Sequence, residues 1–155
     1  MKMRIKDHED LRLKGEIEFL VIDKEGNIKE RRVVKNVITN DGKASVAGLI
    51  LSDVSETPYD YIAIGTGTTA ASASDTALES ETHRVAGTGT RVTTSTTNDT
   101  AQLQATFNFS ASYSITESGV FNASSGGTML CRQTFSAINV NDGDSLQITW
   151  KIQVQ

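Results

Sequence analysis

From Leu146 to Gln155 apolar and polar residues alternate without a break: Leu146, Ile148, Trp150, Ile152 and Val154 against Gln147, Thr149, Lys151, Gln153 and Gln155. Only a strand places alternate residues on opposite faces. A helix would scatter the same residues around its circumference. The segment therefore demands a sheet with one face covered, and a strand this amphipathic needs partners.

The rest of the chain supplies them. Leu13 to Asp23 and Ile28 to Val34 read as two strands joined by Lys24-Glu25-Gly26-Asn27, whose Gly and Asn tolerate a positive φ. Tyr59 to Ile64 is a strand. His83 to Thr96, rich in Thr and Val, is a long broken one. Ala101 to Phe109 alternates, with Leu103, Ala105, Phe107 and Phe109 on one face. Ile115 to Asn122 and Thr128 to Phe135 form a hairpin around Ser124-Ser125-Gly126-Gly127, and Asn141-Asp142-Gly143-Asp144 is a further turn. One helix is expected, over about three turns after Asn40 or Asp41 as N-cap, with Ala44, Ala47, Leu51 and Val46, Ile50 at helical spacing. Gly48 weakens it by about 1 kcal/mol unless something packs closely there. These elements predict a mainly β protein: an antiparallel β-sandwich or barrel-like domain with one short helix and a charged N-terminal β-hairpin or arm.

Charge divides the 155-residue chain. Residues 1–36 hold ten bases and eight acids, a net of +2; the remainder holds five bases and eleven acids, a net of -6. The expected organisation is a charged arm and hairpin over residues 1–36 and a Thr/Ser-rich β-sandwich domain over 37–155. The mild overall charge of -4 lacks the basic balance of a nucleic-acid binder. No apolar run is long enough to span a membrane, and the charged N-terminus lacks the apolar core of a signal peptide. The single cysteine, Cys131, makes no intramolecular disulfide and reads as a small buried hydrophobe. Synthesis in a reducing cytosol fits all of this.

Candidate chemistry is sparse. Gly65-Thr66-Gly67-Thr68-Thr69-Ala70 spells a dinucleotide-binding turn, G-x-G-x-x-A. That turn requires a helix starting at the glycines and an acid about twenty residues on. Here a small polar loop follows, and the later region is Val85-Ala86-Gly87-Thr88-Gly89. The favoured reading is a rigid turn in which Gly65 and Gly67 permit a positive φ. Leu78, Glu81 and Arg84 have the spacing of a staple that clamps the turn after Gly67. His83, next to Arg84, reads as part of a surface or interface pair, because no nucleophile elbow accompanies it. Asn141 to Asp144 lacks the full spacing of a calcium loop. No catalytic residue, cofactor or metal is expected. Lys29, Arg31, Arg32 and Lys35 form the one basic cluster, read as a solvated face or as a docking element for an acidic protein partner.

Four segments in order carry a resemblance: Lys35 to Lys43 (KNVITNDGK), Tyr61 to Gly67 (YIAIGTG), the Leu78, Glu81, Arg84 spacing, and Ile115 to Ala123 (ITESGVFNA). Together, over roughly residues 36–154, they resemble small structural proteins of tailed bacteriophages. The last segment is similar to the I-T-E-x-G-(L/V)-F pattern of tail-collar fibre proteins. The resemblance implies a virion building block without catalytic residues and does not fix its place in the virion. The mild acidity and the charged N-terminal arm or hairpin favour a capsid decoration (cement) protein, trimeric, bound to the major capsid protein. The alternative is a tail, baseplate or fibre-adaptor protein. A carbohydrate-binding β-sandwich is the remaining reading, disfavoured by the low aromatic content of 6%.

Overall fold

The computed structural model describes residues 11–51 and 55–155. Residues 1–10 of the expected arm, with His8, lie outside them. Among the described residues ten strands and one helix follow in order: β1 Leu13–Ile22, β2 Ile28–Lys35, β3 Val37–Ile38, α1 Asn40–Ile50, β4 Tyr61–Gly65, β5 Glu81–Ala86, β6 Thr88–Val92, β7 Thr100–Asn108, β8 Tyr113–Phe121, β9 Met129–Val140 and β10 Ser145–Val154. They build two five-stranded antiparallel sheets. Sheet A runs β2-β1-β10-β7-β6, and sheet B runs β3-β9-β8-β4-β5. The expected fold class, mainly β with one short helix, is the one found.

β10 is the centre of sheet A, paired to β1 on one side and β7 on the other. Its alternation thus serves two neighbours at once. Register sets Ile17, Trp150 and Leu103 in one inward row and Phe19, Ile148 and Ala105 in the next. Inward residues of sheet B, among them Ile62, Ile64, Ile115 and Val120, close the same core. Trp150 is fully buried, and its indole N–H donates to Ser118 Oγ at 3.3 Å across the sandwich. Such a bond satisfies a donor that would otherwise be stranded in an apolar interior.

Both flanks are closed by chain that changes sheet. β2 leaves sheet A and continues through Asn36 as β3 of sheet B; β5 leaves sheet B and continues through Gly87 as β6 of sheet A. The long broken strand read over His83 to Thr96 is this crossing. Gly87 is where it turns against β7: a Cβ there would lie 2.8 Å from Leu103 Cδ1 and 2.9 Å from the Gln104 carbonyl oxygen. Arg32 seals the other flank by donating to the Ser136 backbone oxygen of β9. The composition shift near Asn36 falls at the passage between sheets, and the hairpin β1–β2 on its N-terminal side lies within sheet A.

The turns follow their chemistry. Gly26, Gly126, Gly127 and Gly143 hold φ values of +89°, +60°, +73° and +83°. Helix α1 is capped by Thr39, not by Asn40 or Asp41. Thr39 sits in an extended conformation, its hydroxyl accepts from Gly42 N at 2.9 Å, and it also donates to the Met129 carbonyl. One fully buried residue thus ends the strand, starts the helix and ties both to β9. Close packing against the helix is found at Gly42, where a Cβ would overlap the Leu130 backbone.

Carboxylates hold several turns. Asp99 accepts from the N–H groups of Thr94, Ser95 and Thr96 and from Gln153 Nε2. The Thr96 N–H leads in holding its pKa well below the usual carboxylate range, against the opposing effect of burial. Asp23 is lowered chiefly by the Asn27 N–H, and Asp144 chiefly by Lys29. An acid with a depressed folded pKa adds stability above its unfolded value, about 3.9 for Asp, and that stability is lost as pH falls through the folded value. The melting temperature is therefore expected to hold between about pH 7 and 5 and to fall progressively below about pH 4. Asp99→Asn should flatten that acid limb while lowering the melting point at neutral pH. Circular-dichroism melts across the pH range check both signs.

Candidate functional site

The loop that opens at Gly65 runs from β4 to β5 over the outer face of sheet B. Its cover begins with Leu78, which packs with Ala63, Phe121 and Met129 in a small second core. These residues alternate with the inward ones, since Ile62 and Ile64 face the main core while Ala63 faces the loop. A surface face of the sheet is thereby converted into an interior, and the loop acts as a partial third layer.

Beneath the loop lies a buried ion pair, Glu117 of β8 and Arg132 of β9. Glu117 is fully buried and the Arg132 residue is 2% exposed. Glu117 Oε1 accepts from Gly67 N at 3.0 Å and Ser80 N at 2.7 Å. Oε2 accepts from Glu79 N at 3.0 Å, Arg132 Nε at 3.1 Å and Arg132 Nη2 at 2.9 Å. One carboxylate therefore grips both ends of the loop, at Gly67 and at Glu79-Ser80. Arg132 uses its remaining donors on the loop's middle: Nη1 to Asp75 Oδ2 at 2.7 Å and Nη2 to the Thr69 carbonyl at 3.1 Å. Asp75 in turn accepts from Ser72 N at 2.9 Å. Burial raises the Asp75 pKa, but the Ser72 N–H and the Arg132 guanidinium outweigh it and leave the carboxyl below its usual range. Glu79 is lowered chiefly by the Thr69 N–H it accepts from at 2.7 Å.

This geometry decides between the two readings of Gly65 to Ala70. A phosphate cradle needs free N–H groups pointing at a common point. Here Thr66 N donates to the Ser80 carbonyl, Gly67 N to Glu117 and Thr69 N to Glu79. No helix follows the glycines. The rigid turn is the arrangement found, for a different reason than expected. Neither Gly65 nor Gly67 has a positive φ. Both are needed because a Cβ would collide: at Gly65 with the Ser80 carbonyl and with Glu117 Oε1, at Gly67 with Glu79 Cβ at 2.5 Å and Glu117 Oε1 at 2.6 Å.

Glu81 and Arg84 do pair, with Nε and Nη2 donating to the two carboxylate oxygens at 2.9 and 2.7 Å. Their target is not the turn after Gly67. Arg84 Nη1 donates to the carbonyls of Ala123 and Gly126 at 2.9 and 2.8 Å, and the guanidinium stacks 3.7 Å from the Phe121 ring centroid. The pair clamps the β8–β9 turn. Arg84→Ala is expected to cost about 2 kcal/mol, because charge-assisted bonds to two carbonyls are lost; Glu81→Ala should cost about 0.5–1 kcal/mol. Urea midpoints unchanged in both variants would refute the clamp.

His83 stands apart from this pair. Its ring packs edge-on against Phe109 and Tyr113, with centroids at 5.6 and 5.0 Å. Cys131 is fully buried, and burial pushes its thiol pKa up, as befits an unreactive core residue. The basic cluster is largely answered from within: Lys29 pairs with Asp144 at 2.6 Å, Arg31 with Glu18 at 2.6 Å, and Arg32 with Glu30. Lys35 is left exposed at the end of β2.

Sequence reading passed over Glu117 and Arg132. The available signal was a pair of opposite charges set in otherwise apolar hairpin strands, at ITESGVF and MLCRQTF. Among the described residues no group of three metal-ligating side chains converges, and no helix is long and apolar enough to cross a membrane. Comparison with protein-family profiles, curated proteins and solved structures returned no match.

Proposed function

We propose that this chain is a non-enzymatic structural protein of a tailed-bacteriophage virion, a capsid decoration protein that binds the capsid surface and stabilises it. The observation that supports a structural role is the state of Glu117. A general acid or base, or a metal ligand, needs an accessible lone pair. Both oxygens of Glu117 are saturated by five donors, and the residue has no solvent-exposed surface. Its work is to lock a loop. The virion assignment draws on the four-segment resemblance, in which the locked loop begins at the YIAIGTG segment and Glu117 stands inside ITESGVF.

The docking face in this reading is the outer edge of sheet A along β2. Lys29 and Arg31 would exchange their internal partners for acidic groups on the major capsid protein, with Lys35 adding a third charge. Arg32 is excluded, because it seals the sandwich flank. The assembly in this reading is a homotrimer. The likeness of ITESGVF to tail-collar fibres favours the second reading, a tail or baseplate adaptor.

Quantitative mass spectrometry of purified virions separates the two. A copy number comparable to the major capsid protein is the expected result. A handful of copies per particle would replace it with the tail reading, and absence from virions would overturn both.

A further inference from the structure

The main core does not fill the sandwich. At the end of sheet A where β10 terminates, the two sheets part around an apolar cleft of about 620 Å³. This volume falls within the roughly 300–1,000 Å³ of small-molecule sites. The register of sheet A explains the opening. The inward row Ile17–Trp150–Leu103 ends on β6 at Gly89, and the next row, Gly15–Ile152–Ala101, ends at Arg91. A Cβ added at Gly89 would meet no atom within 4 Å. Two small residues, Gly89 and Ala101, thus stand where a sandwich core ordinarily carries large ones. Helix α1 roofs the cleft with Val46 and Leu49, and core residues Val120 and Leu130 form its far wall.

The polar features are few. Among the described residues Arg91 is the sole charged one lining the cleft. It is exposed, on the inward face at the mouth, and it makes no ion pair among the described residues. Every other arginine with a described side-chain partner in this chain is bound to a carboxylate of its own. Around the opening, Leu49 and Val154 are each 44% exposed. A mostly apolar lining and one cation at the entrance without an ion pair match one ligand chemistry.

We propose that the cleft is a binding site for a single-chain amphiphile with an anionic head, of the fatty-acid type. The aliphatic chain lies between the sheets beneath α1, and the carboxylate meets Arg91 at the mouth. The site is independent of the assembly role proposed above, being at the open end of the sandwich and not on the β2 edge.

Isothermal titration of the full chain with sodium dodecanoate tests it, with decanoate, octanoate, dodecanol and dodecyltrimethylammonium as comparisons. Saturable one-to-one binding of dodecanoate is expected. Affinity should rise roughly threefold to fourfold per added methylene along the carboxylate series. Arg91→Gln should weaken dodecanoate about tenfold and leave dodecanol unchanged. The cavity-filling variant Gly89→Val should abolish binding while raising the melting temperature by about 2–4 °C, since valine suits a strand and fills empty space. Ala101→Leu provides a second filling variant should Gly89→Val fail to fold. The proposal is overturned if no saturable binding is seen, if both filling variants bind dodecanoate as before, or if the cation binds as tightly as the carboxylate. Capture by anionic phospholipid vesicles without monomer binding would also overturn it, by assigning the patch to a membrane surface.

Discussion

Glu117→Ala is expected to destabilise the protein by about 3–5 kcal/mol, the range for breaking a buried ion pair on one side. For a chain of this size that is a fall of about 10 °C or more in melting temperature. The loss has two parts. Arg132 would keep Asp75 but lose the carboxylate beside it in a site that leaves it 2% exposed. The N–H groups of Gly67, Glu79 and Ser80 would lose their acceptor together. Unsatisfied buried donors add their own penalty. Removing both partners in Glu117→Ala/Arg132→Ala should cost less than the sum of the single changes, because the stranded charge is then gone. Urea denaturation of the four proteins in a double-mutant cycle measures this. Strict additivity would mean that the two side chains do not act as a unit.

The second large effect is at Gly65. Gly65→Ala is expected to cost about 1–3 kcal/mol by overpacking. Its φ is not in the left-handed region, so the cost is steric and not conformational. The new methyl would overlap the Ser80 carbonyl, which itself accepts from Thr66 N at 3.0 Å, and the Glu117 carboxylate. A backbone carbonyl cannot swing aside as a side chain does. The loop must lift, and with it the bonds from Glu117. Gly65→Ala in the Glu117→Ala background should therefore cost less than in the native chain. A thermal melt of Gly65→Ala indistinguishable from native would show that the loop is not held in close contact. Gly89 is the internal control: the same class of substitution, at a position with open space, is expected to move stability the other way.

The strands were legible because their signals are local. The alternation of Leu146 to Val154 predicts a half-covered strand, and β10 is the centre of a sheet covered on one face. Turn residues at Gly26, Asn98 and Gly143 sit at the positive φ angles that their types favour. What was not legible depends on contacts distant in sequence. Glu117, Gly119 and Phe121 lie on the outer face of sheet B, the face ordinarily given to solvent. They become interior only because residues 66–80 fold across them, and no periodicity announces that cover. Gly67 and Glu117 are fifty residues apart, so the reason for the glycine is invisible at the glycine. Arg84 shows the same limit. Its pairing with Glu81 follows from spacing, whereas its grip on Ala123 and Gly126 does not. Thr39 was overlooked as the helix cap because Asn40 and Asp41 offer equally good chemistry one and two residues later, and its contact with Met129 settles the choice.

The charge pattern was legible only in part. A basic cluster on β2 reads as a docking face when seen alone. Folded, Lys29 reaches Asp144 across 115 positions and Arg31 reaches Glu18 across the hairpin. The acids that answer these bases are spread through the sequence, so a local count of charge overstates what is free.

Amide hydrogen exchange at Gly67, Glu79 and Ser80, read residue by residue by nuclear magnetic resonance, tests the central claim that a buried carboxylate locks this loop. If the lock holds, these three amides exchange as slowly as those of β8 and β9, by global unfolding alone. In Glu117→Gln all three should speed up together while the β10 amides keep their protection relative to global stability. Exchange of these amides on the timescale of an open surface loop in the native protein would contradict the account, because it would mean that the loop opens without breaking the Glu117–Arg132 pair.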